Sequence, residues 1–312
     1  MLIILLKTSI PILGRGLQER LIELYFRQFH HICPVVDEAD FFTWYRSPEE
    51  YQGVHPQLMQ LLLFSMLFAA SSHLEEDELQ HAPYRCVKHL QKALFAFAQA
   101  QYHLLERNHL RAESLVQSAL LLSYWSPYDS TKEVNSFWVS EAIRHAVASG
   151  LPDLSSRSRR RIIWWCCITR NRMISIGLRR PTLLEKRVDG PLPEIRDFGD
   201  EISNPHFVSK EAKMYFAQAF IMLCSLTRIM AKSVRLQYRD YNKPWPFPPG
   251  HRGIELLEQI RRMEDKLRVW NVNFARVYAR VQELAVPRTD LVVFHVISLM
   301  HQYVLTRRQL VG

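Results

Sequence analysis

Apolar residues recur at three- and four-residue steps along nearly the whole chain of 312 residues. In the stretch Leu17–His31, for example, Leu21, Leu24, Tyr25 and Phe29 fall on one stripe, which is the spacing of an amphipathic helix. We find no alternating strand pattern and no internal repeat, and 10 glycines are too few for a turn-dense all-β fold. The sequence therefore predicts an all-α fold, a single large multi-helix domain.

Proline and glycine divide this pattern into segments, because proline cannot continue a helix and glycine commonly ends one. Gly150 and Pro152 end one such helix, and Ser158 caps the next. Four prolines between Arg179 and Pro205 predict a long ordered loop over the helices, with a domain joint as the alternative. Lys243–Gly250 is a second proline-rich break. The predicted helices are Leu17–His31, Pro56–Ser72, Glu78–Arg107, His109–Trp125, Thr131–Ser149, Arg159–Gly177, Val208–Tyr238, Ile254–Phe274 and Thr289–Gln309.

The net charge of +9 is unevenly spread along the chain. Residues 1–153 carry 12 Lys and Arg against 17 Asp and Glu, a balance of −5, whereas residues 154–312 carry 28 against 14, a balance of +14. A basic second half is typical of nucleic-acid binding. It is equally consistent with two parts of one fold that attract each other, and composition leaves both interpretations open.

The cysteines and histidines show no metal-ligand spacing. The five cysteines form no Cys-x-x-Cys pair, and none of the 13 histidines falls in a His-Glu-x-x-His pattern. Adjacent Cys166 and Cys167 point to different sides of a helix, so we expect them to pack as small apolar residues. Scattered thiols are typical of a reducing, intracellular compartment. We therefore expect no metal-binding or cofactor-binding residues in this chain.

The sequence shows no targeting or membrane signal. The start MLIILLKTSIPIL lacks a basic residue before its apolar run and a small-residue cleavage site after it, so we predict no secretory leader. The most apolar internal window, Leu61–Ala70, is too short to cross a bilayer. We expect a soluble protein without a membrane partner.

An acidic run at Glu75–Glu78 raises the hypothesis of a helical enzyme that holds magnesium for a lipid-like diphosphate substrate. A second acidic motif to complete such a site is missing from the sequence. Acidic residues before a helix also stabilise its positive end, and we favour this interpretation. We expect no catalytic residues.

The stretch RRRIIWWCCITRNRMISIGLRRP, Arg159–Pro181, lies in a region without acidic residues from Leu154 to Leu184. Its tryptophans lie among isoleucines at core spacing, so they are predicted to be buried. Arginine stems can lie along such a core while their guanidinium groups pair with acids elsewhere.

This stretch resembles the most recognisable block of the fungal-specific transcription factor domain, the helical middle region of zinc-cluster regulators. The family block is an Arg-Arg-x-x-Trp-Trp helix, an Asp-Arg pair and a Gly-(x)-Arg-Pro turn. The matching positions here are Arg160, Arg161, Trp164, Trp165, Asn171, Arg172, Gly177, Arg180 and Pro181. The resemblance implies that these residues are structural, with Arg161, Arg172 and Arg180 anchoring acidic or backbone groups of neighbouring elements.

The flanking segments follow the family order. The family's opening helix is similar to LIELYFRQFHHICPVVDEADF, and its Gln-x-Leu-Leu-Leu segment is similar to VQSALLLSYW. Its tryptophan-led helix is similar to FWVSEAIRHAVASGL, and its acidic proline loop is similar to DGPLPEIRDF. The pattern is similar to that of the cutinase-regulator-like members. The match is best over residues 21–198. It divides the chain into an N-terminal extension, 1–16, and a regulatory domain, 17–312.

Three departures from the family pattern stand out. Asn171 replaces the family Asp, Pro152-Asp153 replaces a usual His-Arg, and the six-cysteine zinc cluster that reads DNA is absent. The resemblance then implies a nuclear regulatory domain for RNA polymerase II transcription. Its partners would be proteins of the transcription machinery, a second copy or a small-molecule effector. The domain would contact DNA only through a zinc cluster that is missing from this sequence, and zinc would be bound only there. A stand-alone helical scaffold or inhibitor that pairs with intact regulators is the alternative.

Overall fold

The computed structural model describes residues 13–79, 82–108, 113–125, 134–153, 159–178, 182–184, 189–239, 251–284 and 286–307. No β-strand is found within these ranges, which confirms the all-α prediction. The α-helices in them are α1 Arg15–Leu24, α2 Glu38–Arg46, α3 Pro56–Ala70, α4 Val87–Arg107, α5 Glu113–Leu122, α6 Val134–Ala148, α7 Arg159–Gly177, α8 Asp200–Ser203, α9 Lys210–Arg239, α10 His251–Gln282 and α11 Val292–Arg307.

Helix α3 is the centre of the N-terminal half. All of its residues from Leu61 to Ala70 are buried, as its all-round apolar sequence predicts. It packs against α1, α4 and α5, and α5 continues the packing onto α6 and α7. Helix α7 then contacts α9, on which α10 and α11 lie. The chain order of the helices is thus largely their order through the core.

The structure differs from the predicted boundaries near the N-terminus. Helix α1 starts at Arg15 and passes into a π-helical turn at Tyr25–Phe29, and α2 was not predicted at all. Asp37 begins α2, because its side chain accepts hydrogen bonds from the backbone N–H groups of Ala39 and Asp40. A second helix therefore follows the turn at Pro34.

The predicted helix start at Glu78 adjoins the acidic run Glu75–Glu78, but the observed helix starts further along the chain. Helix α4 begins at Val87, whose backbone N–H donates to the Glu76 carboxylate at 3.0 Å. Glu78 accepts from Arg20 at 2.6 Å. Glu76 thus supports the start of α4 and Glu78 forms an ion pair, which agrees with the interpretation favoured above.

Gly150 ends α6 in the left-handed region, with φ of 70°. The N–H of Leu151 donates back to the carbonyl of Ala146 at 2.9 Å, the pattern of a glycine C-terminal stop. This confirms the predicted helix end. The predicted cap Ser158, the turn residues Arg180 and Pro181, and the break Lys243–Gly250 lie outside the described residues.

Helix α9 contains one stretch, Lys210–Ala231, that is long and apolar enough to cross a membrane by length and composition. More than half of its most apolar window, 56%, is buried inside the fold. Its apolar side packs on α7, α10 and α11, and this packing accounts for its composition.

Candidate functional site: the Arg-Trp-Trp helix and its buried ion pairs

Helix α7 is buried on all sides over nine consecutive residues, Arg161 to Thr169. It lies between α5 and α6 on one side and α9 on the other. Trp164 and Trp165 have no exposed surface. The tryptophans of the family motif are therefore core residues, as the sequence predicts.

Trp165 also holds the proline loop that follows α7. Its indole N–H donates to the carbonyl of Pro191 at 2.8 Å, and the guanidinium of Arg228 lies 5.0 Å from its ring centre. Arg228 in turn donates to the carbonyl of Gly190 at 2.6 Å. One tryptophan and one arginine of α9 thus fix the backbone of the loop against the core.

Two motif arginines pair with the same loop. Arg161 donates to Asp197 at 3.0 Å, and both side chains are buried. Arg172 pairs with Asp189. The Asn171 side-chain oxygen accepts from the backbone N–H of Leu183 at 3.1 Å, so this family-divergent residue also binds the segment after α7.

The first motif arginine, Arg160, is partly exposed. It donates to the carbonyl of Ser149 at 2.7 Å and pairs with Glu113 at 3.1 Å. Gly177 is the last residue of α7, as predicted. The motif residues in the described ranges therefore serve packing and loop anchoring, and the structure does not bring them together as one binding surface.

Arg159, the first residue of α7, belongs to an ion-pair cluster that the sequence patterns do not predict. Its guanidinium donates to Asp37 at 2.8 Å and to Glu201 at 2.5 Å. It also reaches the carbonyl oxygens of Pro34 and Phe198 at 3.3 Å. Three chain segments therefore meet at this one side chain: the start of α7, residues 34–37 and residues 198–201.

The cluster continues inward through a lysine. Lys213 Nζ lies 2.9 Å from Glu201 and 2.5 Å from Glu38, and all three side chains are at most 2% exposed. His30 Nε2 contacts the Glu201 carboxylate at 2.7 Å. Glu38 also accepts from the backbone N–H of His206 at 2.8 Å. Arg159, Lys213, Glu38, Glu201 and His30 are called the buried charge cluster below.

Opposite charges offset the cost of burying these carboxylates. Burial alone would raise the pKa of Glu201, but Arg159, His30 and Lys213 outweigh it and hold that pKa well below its usual range. Burial lowers the pKa of His30, and Lys213 adds to this effect while Glu201 opposes it. Glu201 is therefore an anion at neutral pH.

A cavity beside the cluster has a volume of about 10 Å³ and is lined by His30, His31, Lys213 and Phe216 among others. This volume admits about one water molecule. It is too small for an organic substrate or effector. The buried charge cluster therefore has the geometry of a structural junction rather than of a catalytic pocket.

A second group of ligand-type side chains joins α4 and α6. Ligand atoms of Glu106, Glu141 and His145 lie within 4.8 Å of one another, although their spacing in the sequence matches no metal motif. The guanidinium of Arg144 bonds to both carboxylates. The positive charge that these acids require is thus supplied by the chain itself.

Most of the cysteines are core residues. Cys33, Cys166, Cys167 and Cys224 are buried, and burial raises the pKa of the last three thiols. Within the described ranges, the cysteines contribute to no group of three ligand atoms close enough to share one metal ion. The predicted packing role of Cys166 and Cys167 agrees with their burial.

Together, the fold and the cluster define an all-helical domain whose ion pairs join distant segments. Its sequence matches the family model of the fungal specific transcription factor domain over residues 22–272. The chain belongs to this family and carries the regulatory domain of a fungal transcription factor.

Individual relatives agree with this assignment. The chain is 30% identical to a transcription factor of Fusarium pseudograminearum over 191 residues. This alignment covers 58% of this chain and 20% of that protein. It is 29% identical over 204 residues to cutinase transcription factor 1 beta of Fusarium vanettenii, covering 62% and 22%. It is 27% identical over 176 residues to the acetamidase regulatory protein of Aspergillus fumigatus, covering 53% and 21%. The matched part spans about a fifth of each of these relatives, and no solved structure matches the chain.

We predict that Trp165→Ala lowers the free energy of unfolding by about 3–5 kcal/mol, because it removes a buried aromatic ring and the bond to Pro191. Denaturant unfolding measures this change. Arg262→Ala is the matched control, since its pair with Glu258 is exposed and contributes at most about 1 kcal/mol. Equal stability of the two variants would show that Trp165 does not pack in the core.

We predict that Lys213→Met costs about 3–5 kcal/mol, because it leaves two buried carboxylates with less positive charge. Adding Glu38→Gln should restore part of the loss, since the glutamine oxygen still accepts the His206 N–H. Unfolding of the two single variants and the double variant gives the coupling energy. Strictly additive losses would contradict a direct buried pair.

We predict that stability falls as the pH drops below about 6.5, the usual pKa of histidine. Burial lowers the pKa of His31 well below that value, and Lys213 adds to the effect. The unfolded chain therefore takes up the proton first. The contribution of His31 to stability is fully present at pH values above its pKa in the unfolded chain, and it is lost as the pH falls below that value. The loss is at most about 1.4 kcal/mol per pH unit for each such histidine.

Unfolding measured from pH 7.5 to pH 5 tests this pH dependence. His31→Gln should show a shallower slope than the parent, whereas the control His89→Gln, an exposed histidine, should retain the parent slope. Identical slopes for all three proteins would rule out a contribution from His31.

Proposed function

We propose that this domain acts in the nucleus as a non-catalytic regulatory module of a transcription regulator and controls its output through contacts with proteins of the transcription machinery. The observation that carries the proposal is the use of the arginines of α7. In the described residues, Arg159, Arg161 and Arg172 pair with carboxylates of the same chain. They support architecture rather than a phosphate-binding surface.

Other observations support a role without chemistry of its own. The cavity at the charge cluster has room for about one water molecule. Two residues of the acidic run that suggested an enzyme support a helix start and form an ion pair. The curated relatives are transcription factors and regulatory proteins by name. In our proposal, DNA recognition and its zinc belong to a separate cluster, and partner or effector binding adjusts the domain.

A tethering assay tests this function. The chain is fused between a bacterial operator-binding domain and a constant activation segment, and a reporter is measured in a filamentous fungus. We expect the intact domain to change reporter output at least threefold relative to a fusion without it. Trp165→Ala should abolish that effect, and the chain without the operator-binding domain should leave the reporter unchanged.

Several results would count against the proposal. Reporter output that is unaffected by the intact, nuclear fusion would contradict a regulatory role. A change in reporter output caused by the chain without the operator-binding domain would instead indicate that the domain binds the reporter DNA directly. In that case, a sequence-specific footprint that survives raised salt would separate true recognition from phosphate attraction, which weakens with salt.

A further inference from the structure

The long helix α10 buries only one stripe of its surface. Met263, Leu267, Trp270, Phe274 and Val281 are buried at three-, four- and seven-residue steps, and α10 packs on α9 and α11. The opposite side, from residue 261 to residue 280, faces solvent and is called the outer face of α10 below.

Two valines lie on this outer face. Val269 is 64% exposed and Val272 is 52% exposed, and their three-residue spacing places them on neighbouring positions of one side. The exposed Ala275 and Ala279 continue the row. Valine is a poorer helix former than the lysine, glutamate or glutamine usual at such positions, so helix stability does not explain its presence.

Basic side chains surround the valines. The exposed residues from 261 to 280 include six Lys and Arg against one acid, Asp265. Among the residues that the structure describes, Arg268 and Arg276 lie within ion-pair distance of no carboxylate, whereas Arg262 and Arg280 pair with Glu258 and Glu283. The centre of the outer face therefore combines exposed apolar surface with uncompensated positive charge.

We propose that the outer face of α10 binds an acidic amphipathic helical segment of a partner protein. Apolar side chains of such a segment would cover Val269 and Val272, and its carboxylates would pair with Arg268 and Arg276. This inference deepens the proposed function by naming the chemistry of the protein partner, and it rests on that function for its biological role.

Charge and shape favour this occupant over others. The same face of a second copy would place six cations against six, which is repulsive. Nucleic acid would satisfy the arginines but would leave the valines without an apolar partner. Two valines and two alanines offer too little apolar surface to insert into a membrane interface, because the main apolar stripe of α10 is buried on its neighbours.

Fluorescence anisotropy with the full chain tests the proposal. The probe is a labelled 16-residue helical peptide of Glu and Asp with Leu at positions i, i+3, i+7 and i+10. We expect saturable one-to-one binding. Binding should weaken at least tenfold for Val269→Ser/Val272→Ser and for Arg268→Gln/Arg276→Gln. Because all four side chains are exposed, circular dichroism should show that both variants remain folded.

Matched controls separate the outer face from general charge. Arg196→Gln removes an exposed arginine elsewhere and should change the affinity less than twofold. Peptides with Leu replaced by Ser, or with the acids replaced by Gln, should each bind at least tenfold more weakly than the probe.

Four outcomes would overturn the docking proposal. The first is that the probe shows no saturable binding, and the second is that the Leu-to-Ser peptide binds as tightly as the probe. The third is that duplex DNA displaces the probe equally well from the parent and from the valine variant. The fourth is that the chain forms a homodimer that the valine substitutions dissociate. Peptide binding is measured without transcription. Its failure alongside an intact reporter effect would therefore reject the docking face and leave the regulatory function standing.

Discussion

The carboxylate of Glu201, a side chain that is 1% exposed, is the point on which much of the structure depends. An isolated carboxylate in such a position is costly, and three partners offset that cost here. They are Arg159 at the start of α7, His30 after the π-helical turn and Lys213 in α9. Each comes from a different element, so the contacts of one buried carboxylate tie three elements together.

The same principle accounts for part of the charge difference between the two halves of the chain. Arg159 and Lys213 of the basic second half pair with Asp37 and Glu38 of the acidic first half, and Arg160 pairs with Glu113. Attraction between the halves thus accounts for these arginines, and nucleic-acid binding is not needed to explain them. The outer face of α10 is different, because its central arginines lack such partners among the described residues.

Local patterns predicted much of the helical architecture. The extent of α7, the burial of Trp164 and Trp165 and the glycine stop at Gly150 follow from three-residue and four-residue spacing and from backbone preferences. The short helices α2 and α8 were missed, because they carry too few turns for a periodic signal. The start of α4 was placed too early, since its acidic support at Glu76 lies 11 residues before Val87.

By itself, the sequence determined the fold class, the buried face of the Arg-Trp-Trp helix and the family. These depend on neighbours along the chain or on a motif read in order. Only the tertiary structure decided that Arg159, Glu201, Lys213 and Glu38 form one cluster. Glu38 and Lys213 are 175 residues apart, and an ion pair over that separation depends on which helices come together in space. The spacing of residues along one helix carries no information about the charge that a distant helix will place beside it.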